Sequence, residues 1–115
     1  MSNHEEHYKK VRELITQPAL YEQLAEEATE LAQAALKVAR IYRNENYTPL
    51  TLGEALHNLY EEYTDVYICA QTLIINPDEE ILEEKLNRWI ERNKDKALEM
   101  AYKEAEYHIR KMENR

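Results

Sequence analysis

The chain has 115 residues and a formal net charge of −8, a length that suits one domain. The negative charge disfavours duplex nucleic acid as a partner, because an acidic surface repels the phosphate backbone. No apolar run reaches membrane-spanning length, the N-terminus lacks the apolar core of a signal peptide, and the only cysteine, Cys69, excludes an intrachain disulfide. We therefore expect a cytoplasmic protein without membrane contact.

The first half of the chain predicts two helices and a loop. One glycine and three prolines leave few interruptions, and the common residues are good helix formers. We predict a helix over 5–15, interrupted at Thr16-Gln17-Pro18 because proline disfavours helix in the residue before it. A long helix is predicted over about 19–42, followed by a loop over 44–49.

The second half predicts further helices and no strand. Thr51-Leu-Gly-Glu54 forms a capping box, which starts a third helix that runs to about residue 75. Asn76-Pro77-Asp78-Glu79 combines a cap, a proline in the first turn and early acids, which predicts a fourth helix to about residue 93. Residues 94–112 continue as a helical tail, with or without a break.

These elements predict an all-α fold in one domain over 1–115. The N-terminal helix spans 5–15, the core helices span about 19–93, and the tail spans 94–112. We expect a bundle of four to five helices that is completed by oligomerisation, as a homodimer or homotetramer, because one chain has few long helices.

Apolar stripes predict that the second and third helices pair antiparallel. We expect the small residues Ala28, Ala35 and Ala70 to permit close approach. The predicted stripes are Leu24, Ala28, Leu31, Ala35, Val38 and Tyr42 on the second helix, and Leu59, Tyr63, Val66, Ala70 and Leu73 on the third.

An acidic octet occurs twice, as LAEEATEL over 24–31 and as LYEEYTDV over 59–66. Glu27 and Glu30 lie roughly 60° and 120° from the first stripe, and Glu62 and Asp65 have the same offsets from the second. Both acidic pairs can therefore lie along one seam. By contrast, the preceding acids of each octet point about 160° from the stripes, mostly to solvent.

Two explanations of the four carboxylates remain open, ordinary solvated acids and a cation site. No cation follows any of them at i+4, so the like charges repel, and a divalent cation would remove that cost. An oxygen-only set favours Mg²⁺, with Mn²⁺ as a substitute, over zinc. No Glu-x-x-His is present at the pairs, which sets aside a di-iron site. Mg²⁺ held by carboxylates keeps positions for substrate phosphates.

The motifs Glu27-Ala-Thr-Glu30 and Glu62-Tyr-Thr-Asp65 resemble the ExxE…ExxD signature of the MazG-like, all-α nucleoside triphosphate pyrophosphohydrolases. Dimeric dUTPases and phosphoribosyl-ATP pyrophosphohydrolase belong to the same superfamily. The resemblance covers about 20–92, and Lys85-Leu-Asn-Arg88 resembles the family's Lys-x-x-Arg beyond the second acidic helix. The long stretch between the motifs departs from the family pattern.

The resemblance implies that Glu27, Glu30, Glu62 and Asp65 hold Mg²⁺ against a nucleoside triphosphate. Water then attacks the α-phosphorus, which gives a monophosphate and pyrophosphate. Either Glu27 or Glu30 is expected to act as the general base.

Three cations are candidate phosphate ligands. The resemblance points to Lys85 and Arg88, while Lys37 lies seven residues after Glu30 on the same helix side. Each can equally be an ordinary surface cation. Two other functions stay open, a non-catalytic helical interaction module with an acidic seam and phosphoribosyl-ATP hydrolysis.

Overall fold

The computed structural model describes residues 4–44 and 49–114, in which every regular element is a helix. The predicted all-α class is therefore confirmed for this part of the chain. Residues 45–48 of the predicted loop lie outside it. The helices are α1 Glu5–Leu14, α2 Gln17–Arg43, α3 Leu52–Thr72 and α4 Glu79–Glu113.

Two compact units divide the chain, Met1–Asn76 and Pro77–Arg115. The first contains α1, α2 and α3, and the second contains α4. A single domain over the whole length stays a prediction. No helix in the described ranges combines the length and the apolar character needed to cross a membrane.

A side-chain cap marks the start of α2, and a left-handed residue marks its end. The Oγ1 of Thr16 accepts a hydrogen bond from the Ala19 backbone N at 3.4 Å, and Pro18 lies in the first turn. Proline is accommodated there because the first amides have no partner within the helix. The helix therefore starts at Gln17, two residues before the predicted start, and ends at Arg43, followed by the cap residue Asn44 with a left-handed φ of 57°.

The caps of α3 and α4 follow the sequence signals closely. Thr51 Oγ1 accepts from the Glu54 N at 3.1 Å and Glu54 Oε1 accepts from the Thr51 N at 3.1 Å, which confirms the capping box. The carboxylate of Asp78 caps α4 by accepting from the Ile81 N at 3.1 Å. Pro77 therefore precedes α4, and its predicted place in the first turn is wrong.

A single helix, α4, spans Glu79–Glu113. The predicted helix to residue 93 and the predicted tail over 94–112 are thus continuous. None of the residues of α4 is buried.

The first unit is built on the antiparallel pair of α2 and α3. Leu20 near the start of α2 lines the same small cavity as Leu73 at the end of α3. Ala34 in the second half of α2 lines a cleft with Ala55 in the first turn of α3. The start of each helix therefore lies beside the end of the other.

The short helix α1 packs against α3. Arg12 Nη1 donates a hydrogen bond to the backbone oxygen of Thr72 at 3.1 Å, and its Nη2 lies 3.0 Å from Glu5 Oε1. Arg12 thereby contacts a carbonyl at the C-terminal end of α3, where the last carbonyl groups of a helix lack partners within the helix.

The inward stripes differ in part from the predicted ones. They consist of buried and half-buried side chains spaced alternately by three and four residues, the pattern that keeps one seam facing a partner helix. These are Leu20, Leu24, Glu27, Leu31, Ala34, Val38 and Ile41 of α2, and Leu52, Ala55, Leu59, Glu62, Val66, Cys69 and Leu73 of α3 and its cap.

The predicted seam was therefore rotated by about 40° on each helix. Ala28, Ala35, Tyr42 and Tyr63 are exposed, and their predicted place at the contact is wrong. The large aliphatic side chains determine the rotation, because an alanine buries little apolar area. The true seams include Glu27 and Glu62, which were predicted to flank them.

Candidate metal centre

Three carboxylates from two helices converge on one side of the α2–α3 pair. One oxygen each of Glu27, Glu30 and Glu62 lies within 4.8 Å of the other two. Glu27 and Glu62 occupy facing seam positions, so the pairing of the helices itself brings them together. Glu30 follows Glu27 by nearly one turn and is the exposed member of the group.

The two seam carboxylates have different partners. Gln23, one turn before Glu27, donates from Nε2 to Glu27 Oε1 at 2.7 Å. Glu62 Oε2 is buried and has no hydrogen-bond partner among residues 4–44 and 49–114. Burial of a carboxylate oxygen without a partner lowers the stability of the fold. A proton or a cation at this atom would remove that unfavourable contribution.

Like charge dominates the electrostatics of the cluster. The carboxylate of Glu27 raises the pKa of Glu30 above its ordinary value, and partial desolvation and the nearness of Glu62 act in the same direction. Burial raises the pKa of the Cys69 thiol, with further contributions from the charges of Glu27 and Asp65. The pKa of Glu30 is thus raised mainly by the neighbouring charge of Glu27, and that of Cys69 mainly by burial.

The three carboxylates fit a hard divalent cation. Around Mg²⁺ the oxygen ligands lie about 2.1 Å from the ion, so neighbouring ligand oxygens are about 3 Å apart and opposite ones about 4 Å. The observed limit of 4.8 Å is close to these separations. The unpartnered Glu62 oxygen supplies the electrostatic reason for an ion at this place.

A cleft of about 450 Å³ opens beside the cluster. Lys37 lies in this cleft with Glu30 and Glu62, as its spacing from Glu30 predicted. The lining of the cleft therefore combines a cation with two of the carboxylates. Its lining residues are Glu30, Gln33, Ala34, Lys37, Ala55, Asn58 and Glu62.

Three amide side chains belong to the site and were missed by the sequence reasoning. Gln23 supports Glu27, while Gln33 and Asn58 line the cleft. The signal was present, because each lies three or four residues from a motif carboxylate and therefore on the same helix face. Amide side chains are frequent on helix surfaces, so their spacing alone is a weak indication of a site.

Asp65, the fourth residue of the motifs, lies apart from this group of three. Its side chain is exposed on α3 beside Tyr60, Glu61 and Thr64. The charge of Asp65, like that of Glu27, contributes to the raised pKa of the Cys69 thiol. A role for Asp65 as a metal ligand stays a prediction.

The two candidate phosphate ligands of α4 lie in the second unit. Lys85 and Arg88 are exposed on one helix surface with Trp89 and Arg92. Arg88 Nη2 is 4.0 Å from Glu84 Oε1, and the Arg92 guanidinium lies 5.9 Å from the centre of the Trp89 ring. Contact of Lys85 and Arg88 with a phosphate stays a prediction.

No protein-family model, no curated protein and no solved structure matches this chain. The resemblance to the MazG-like enzymes therefore rests on the two acidic motifs and the Lys-x-x-Arg segment.

Proposed function

We propose that this protein is a Mg²⁺-dependent nucleotide pyrophosphohydrolase. It cleaves a nucleoside or deoxynucleoside triphosphate between the α- and β-phosphates, which releases a monophosphate and pyrophosphate. The observation that carries the proposal is the convergence of Glu27, Glu30 and Glu62 at a cleft that also contains Lys37.

The proposed ion site uses the seam carboxylates as its fixed part. Glu27 is oriented by Gln23, and Glu62 Oε2 has no hydrogen-bond partner among the residues that the structure describes. A bound Mg²⁺, or Mn²⁺ in its place, would neutralise phosphate charge and help to align the attacking water with the leaving group. Asp65, with the same offset on α3 as Glu30 on α2, completes the proposed set of four ligands.

Glu30 is the better placed of the two candidate general bases. Its side chain is exposed, whereas Glu27 is half-buried and engaged by Gln23. A carboxylate that water can reach is able to accept the proton of the attacking water molecule. The attack on the α-phosphorus, rather than elsewhere on the triphosphate, comes from the family resemblance.

The cleft supports a polyanionic substrate. Lys37 is proposed to bind a phosphate oxygen, and the amides of Gln33 and Asn58 offer hydrogen bonds to neutral substrate groups. Lys85 and Arg88 of α4 are proposed as further phosphate ligands. The proposal also includes a homodimer or homotetramer and, because Cys69 is a free thiol, a reducing cytoplasmic setting.

The test is hydrolysis of a panel of nucleoside and deoxynucleoside triphosphates with Mg²⁺ in ¹⁸O-labelled water. We expect label in the monophosphate and unlabelled pyrophosphate. The Glu62→Gln substitution is expected to abolish the activity. The control is Glu26→Gln, which alters an exposed acid of the first octet and should retain the activity. Release of orthophosphate and a diphosphate, or activity that survives in Glu62→Gln, would contradict the proposal.

A further inference from the structure

One face of α4 presents cations and aromatic rings to solvent in a single row. From Lys85 to Arg110, every residue in an arc of about 60° is basic or aromatic, over about 38 Å of the helix axis. This row is named the basic–aromatic stripe. Its exposed members are Lys85, Trp89, Arg92, Lys96, Lys103, Tyr107 and Arg110.

The stripe contains a short sequence repeat. The segments KLNRWIER over 85–92 and KEAEYHIR over 103–110 share a lysine, an aromatic residue and an arginine at their first, fifth and eighth positions. The segments begin 18 residues apart, at Lys85 and Lys103. This separation is five full turns of about 3.6 residues, so the second segment faces the same direction as the first, about 27 Å further along the axis.

The stripe lacks acidic residues, although the chain has 23 Asp and Glu against 15 Lys and Arg. Lys103 lies 3.3 Å from Glu99, an acid that is about 40° away around the helix. Among residues 4–44 and 49–114, no carboxylate forms an ion pair with any of the other four cations. A row of positive charge that the fold leaves uncompensated attracts an anionic partner.

Both aromatic rings of the stripe are open to solvent and lie beside a cation. The exposed fractions of Trp89 and Tyr107 are 60% and 57%. The Arg92 guanidinium is 5.9 Å from the centre of the Trp89 ring, and Lys111 Nζ is 5.2 Å from that of Tyr107. A ring next to a cation offers a nucleotide two contacts, because its base can stack on the ring while its phosphate pairs with the charge.

The direction of the stripe indicates an extended partner. A partner helix in a coiled coil follows a seam that repeats every 3.5 residues, and such a seam drifts around a straight helix by about 20° per heptad. The 18-residue repeat shows no such drift, so the stripe runs parallel to the axis of α4. A single strand of nucleic acid is extended and exposes the base faces that a duplex keeps stacked.

We propose that the basic–aromatic stripe of α4 binds single-stranded nucleic acid. Bases stack on Trp89 and Tyr107, and the phosphates contact the cations of the stripe. This interaction goes beyond nucleotide hydrolysis and does not depend on it, because it involves α4 alone. Lys85 is the one residue that it shares with the proposed phosphate ligands of the hydrolase.

The fluorescence of the wild-type chain tests the proposal, because Trp89 is its only tryptophan. The full chain is titrated in EDTA with a strand of about 12 thymidines, a length within the roughly 4–16 nucleotides that single-strand-binding domains cover. We expect saturable quenching of the tryptophan emission at low salt. Emission that the strand leaves unchanged would overturn the proposal. A strand of uridines, titrated in parallel, distinguishes RNA from DNA as the source of the shared chemistry.

Salt dependence of the same titration measures the phosphate contacts. If each of the five cations of the stripe neutralises one phosphate, a plot of the logarithm of the association constant against that of the salt concentration should have a slope of about −3.5. A slope near zero would mean that the cations are not in contact with the strand, and the proposal would fail.

Substitutions on α4 separate stacking from charge. Trp89→Ala and Tyr107→Ala should each weaken binding by about tenfold, read by fluorescence anisotropy of a labelled strand, with the helical circular dichroism retained. Two matched controls alter exposed residues of α4 outside the stripe. Tyr102→Ala removes a ring about 100° away, and Lys94→Gln removes a cation on the opposite side, so both should keep the wild-type affinity.

Three further results would overturn the proposal. Unchanged affinity in both ring variants would mean that no base stacks on the stripe. Equally tight binding of a duplex of the same length would have the same meaning. Displacement of the strand by polyglutamate at equal charge concentration would make the stripe a docking surface for an acidic protein. Failure of the protein to hydrolyse nucleotides would leave the proposal standing, because the strand carries no triphosphate.

Discussion

Two residues of the seam, Glu27 and Glu62, occupy positions where paired helices usually place leucine or alanine. Both are half-buried, and one oxygen of Glu62 has no partner in the described part of the chain. Such positions are unfavourable for charge unless a counter-ion or a proton compensates it. The stability of the protein should therefore respond to metal ions and to pH through these few residues.

Glu62→Gln tests the first of these responses. We expect the metal-free variant to melt at the wild-type temperature or above it, because the substitution removes like-charge repulsion. Mg²⁺ should raise the melting temperature of the wild-type protein but not that of the variant, since a ligand stabilises only a state that binds it. The measurement is thermal unfolding with and without Mg²⁺ at constant ionic strength.

The matched control is Glu26→Gln, which makes the same charge change at an exposed position outside the cluster. It should leave the Mg²⁺-dependent shift intact. If the Glu62→Gln variant retained the full shift, Glu62 would not be a ligand.

We expect Glu30 to make the stability of the fold depend on pH. Its pKa is raised above an ordinary value of 4.5, first by the charge of Glu27. In the window from that value up through the raised pKa, the folded state binds more protons than the unfolded state at this site. The contribution of Glu30 to stability therefore falls as pH rises through this window.

Urea unfolding of the metal-free protein across this window provides the measurement. The midpoint of wild type should fall relative to that of Glu30→Gln as the pH increases, because the glutamine cannot ionise. A constant difference between the two midpoints at all pH values would mean that the neighbouring charges do not raise the pKa of Glu30. The pH-dependent change in the difference between the two midpoints should be smaller at high salt, because Glu30 is exposed and salt screens its interactions.

At the scale of the element, local side-chain caps mark where α2, α3 and α4 begin. Thr16, Thr51 and Asp78 each accept a backbone hydrogen bond in the first turn of their helix. These interactions join residues at most three positions apart, which is why the sequence alone reveals them. The capping box was predicted correctly, while the start of α2 and the place of Pro77 were each wrong by a residue or two.

Thr51→Ala removes one half of the capping box. We expect it to lower the free energy of unfolding by about 1 kcal/mol, because the Glu54 amide loses its acceptor at the start of α3. Thr29→Ala is the control, since Thr29 is exposed within α2 and alanine is the better helix former. Denaturant titrations that give equal losses for both variants would contradict this role of the cap.

For the whole molecule, association should be visible in stability. If the proposed homodimer or homotetramer forms, the folded state is a multimer and the unfolded state is not. The urea midpoint of wild type should then rise with protein concentration. A wild-type midpoint that does not vary with concentration would argue against a multimer whose assembly is coupled to folding.

The sequence alone determined the all-α class and most helix boundaries, because helix propensity and caps act between near neighbours. It also identified Glu27, Glu30, Glu62 and Asp65 as a candidate set, since the repeated octet gives equal spacing on two helices. The structure groups the first three of them. The antiparallel pairing of α2 and α3 followed from their apolar stripes. Propensity and caps depend on neighbouring residues, and the acidic set and the helix pairing depend on periodic spacing. Both kinds of information can be read from the sequence.

Only the tertiary structure decided which side of each helix faces its neighbour. Both predicted stripes contained alanine or tyrosine at positions where the true seam has Glu27, Ala34, Glu62 and Cys69. A rotation of about 40° changes few apolar contacts on a helix that is rich in alanine, so the sequence pattern did not discriminate between the alternatives. Packing of Leu20, Leu31 and their partners determined the rotation and moved two carboxylates into the seam. It left Ala28, Ala35 and Tyr63 exposed.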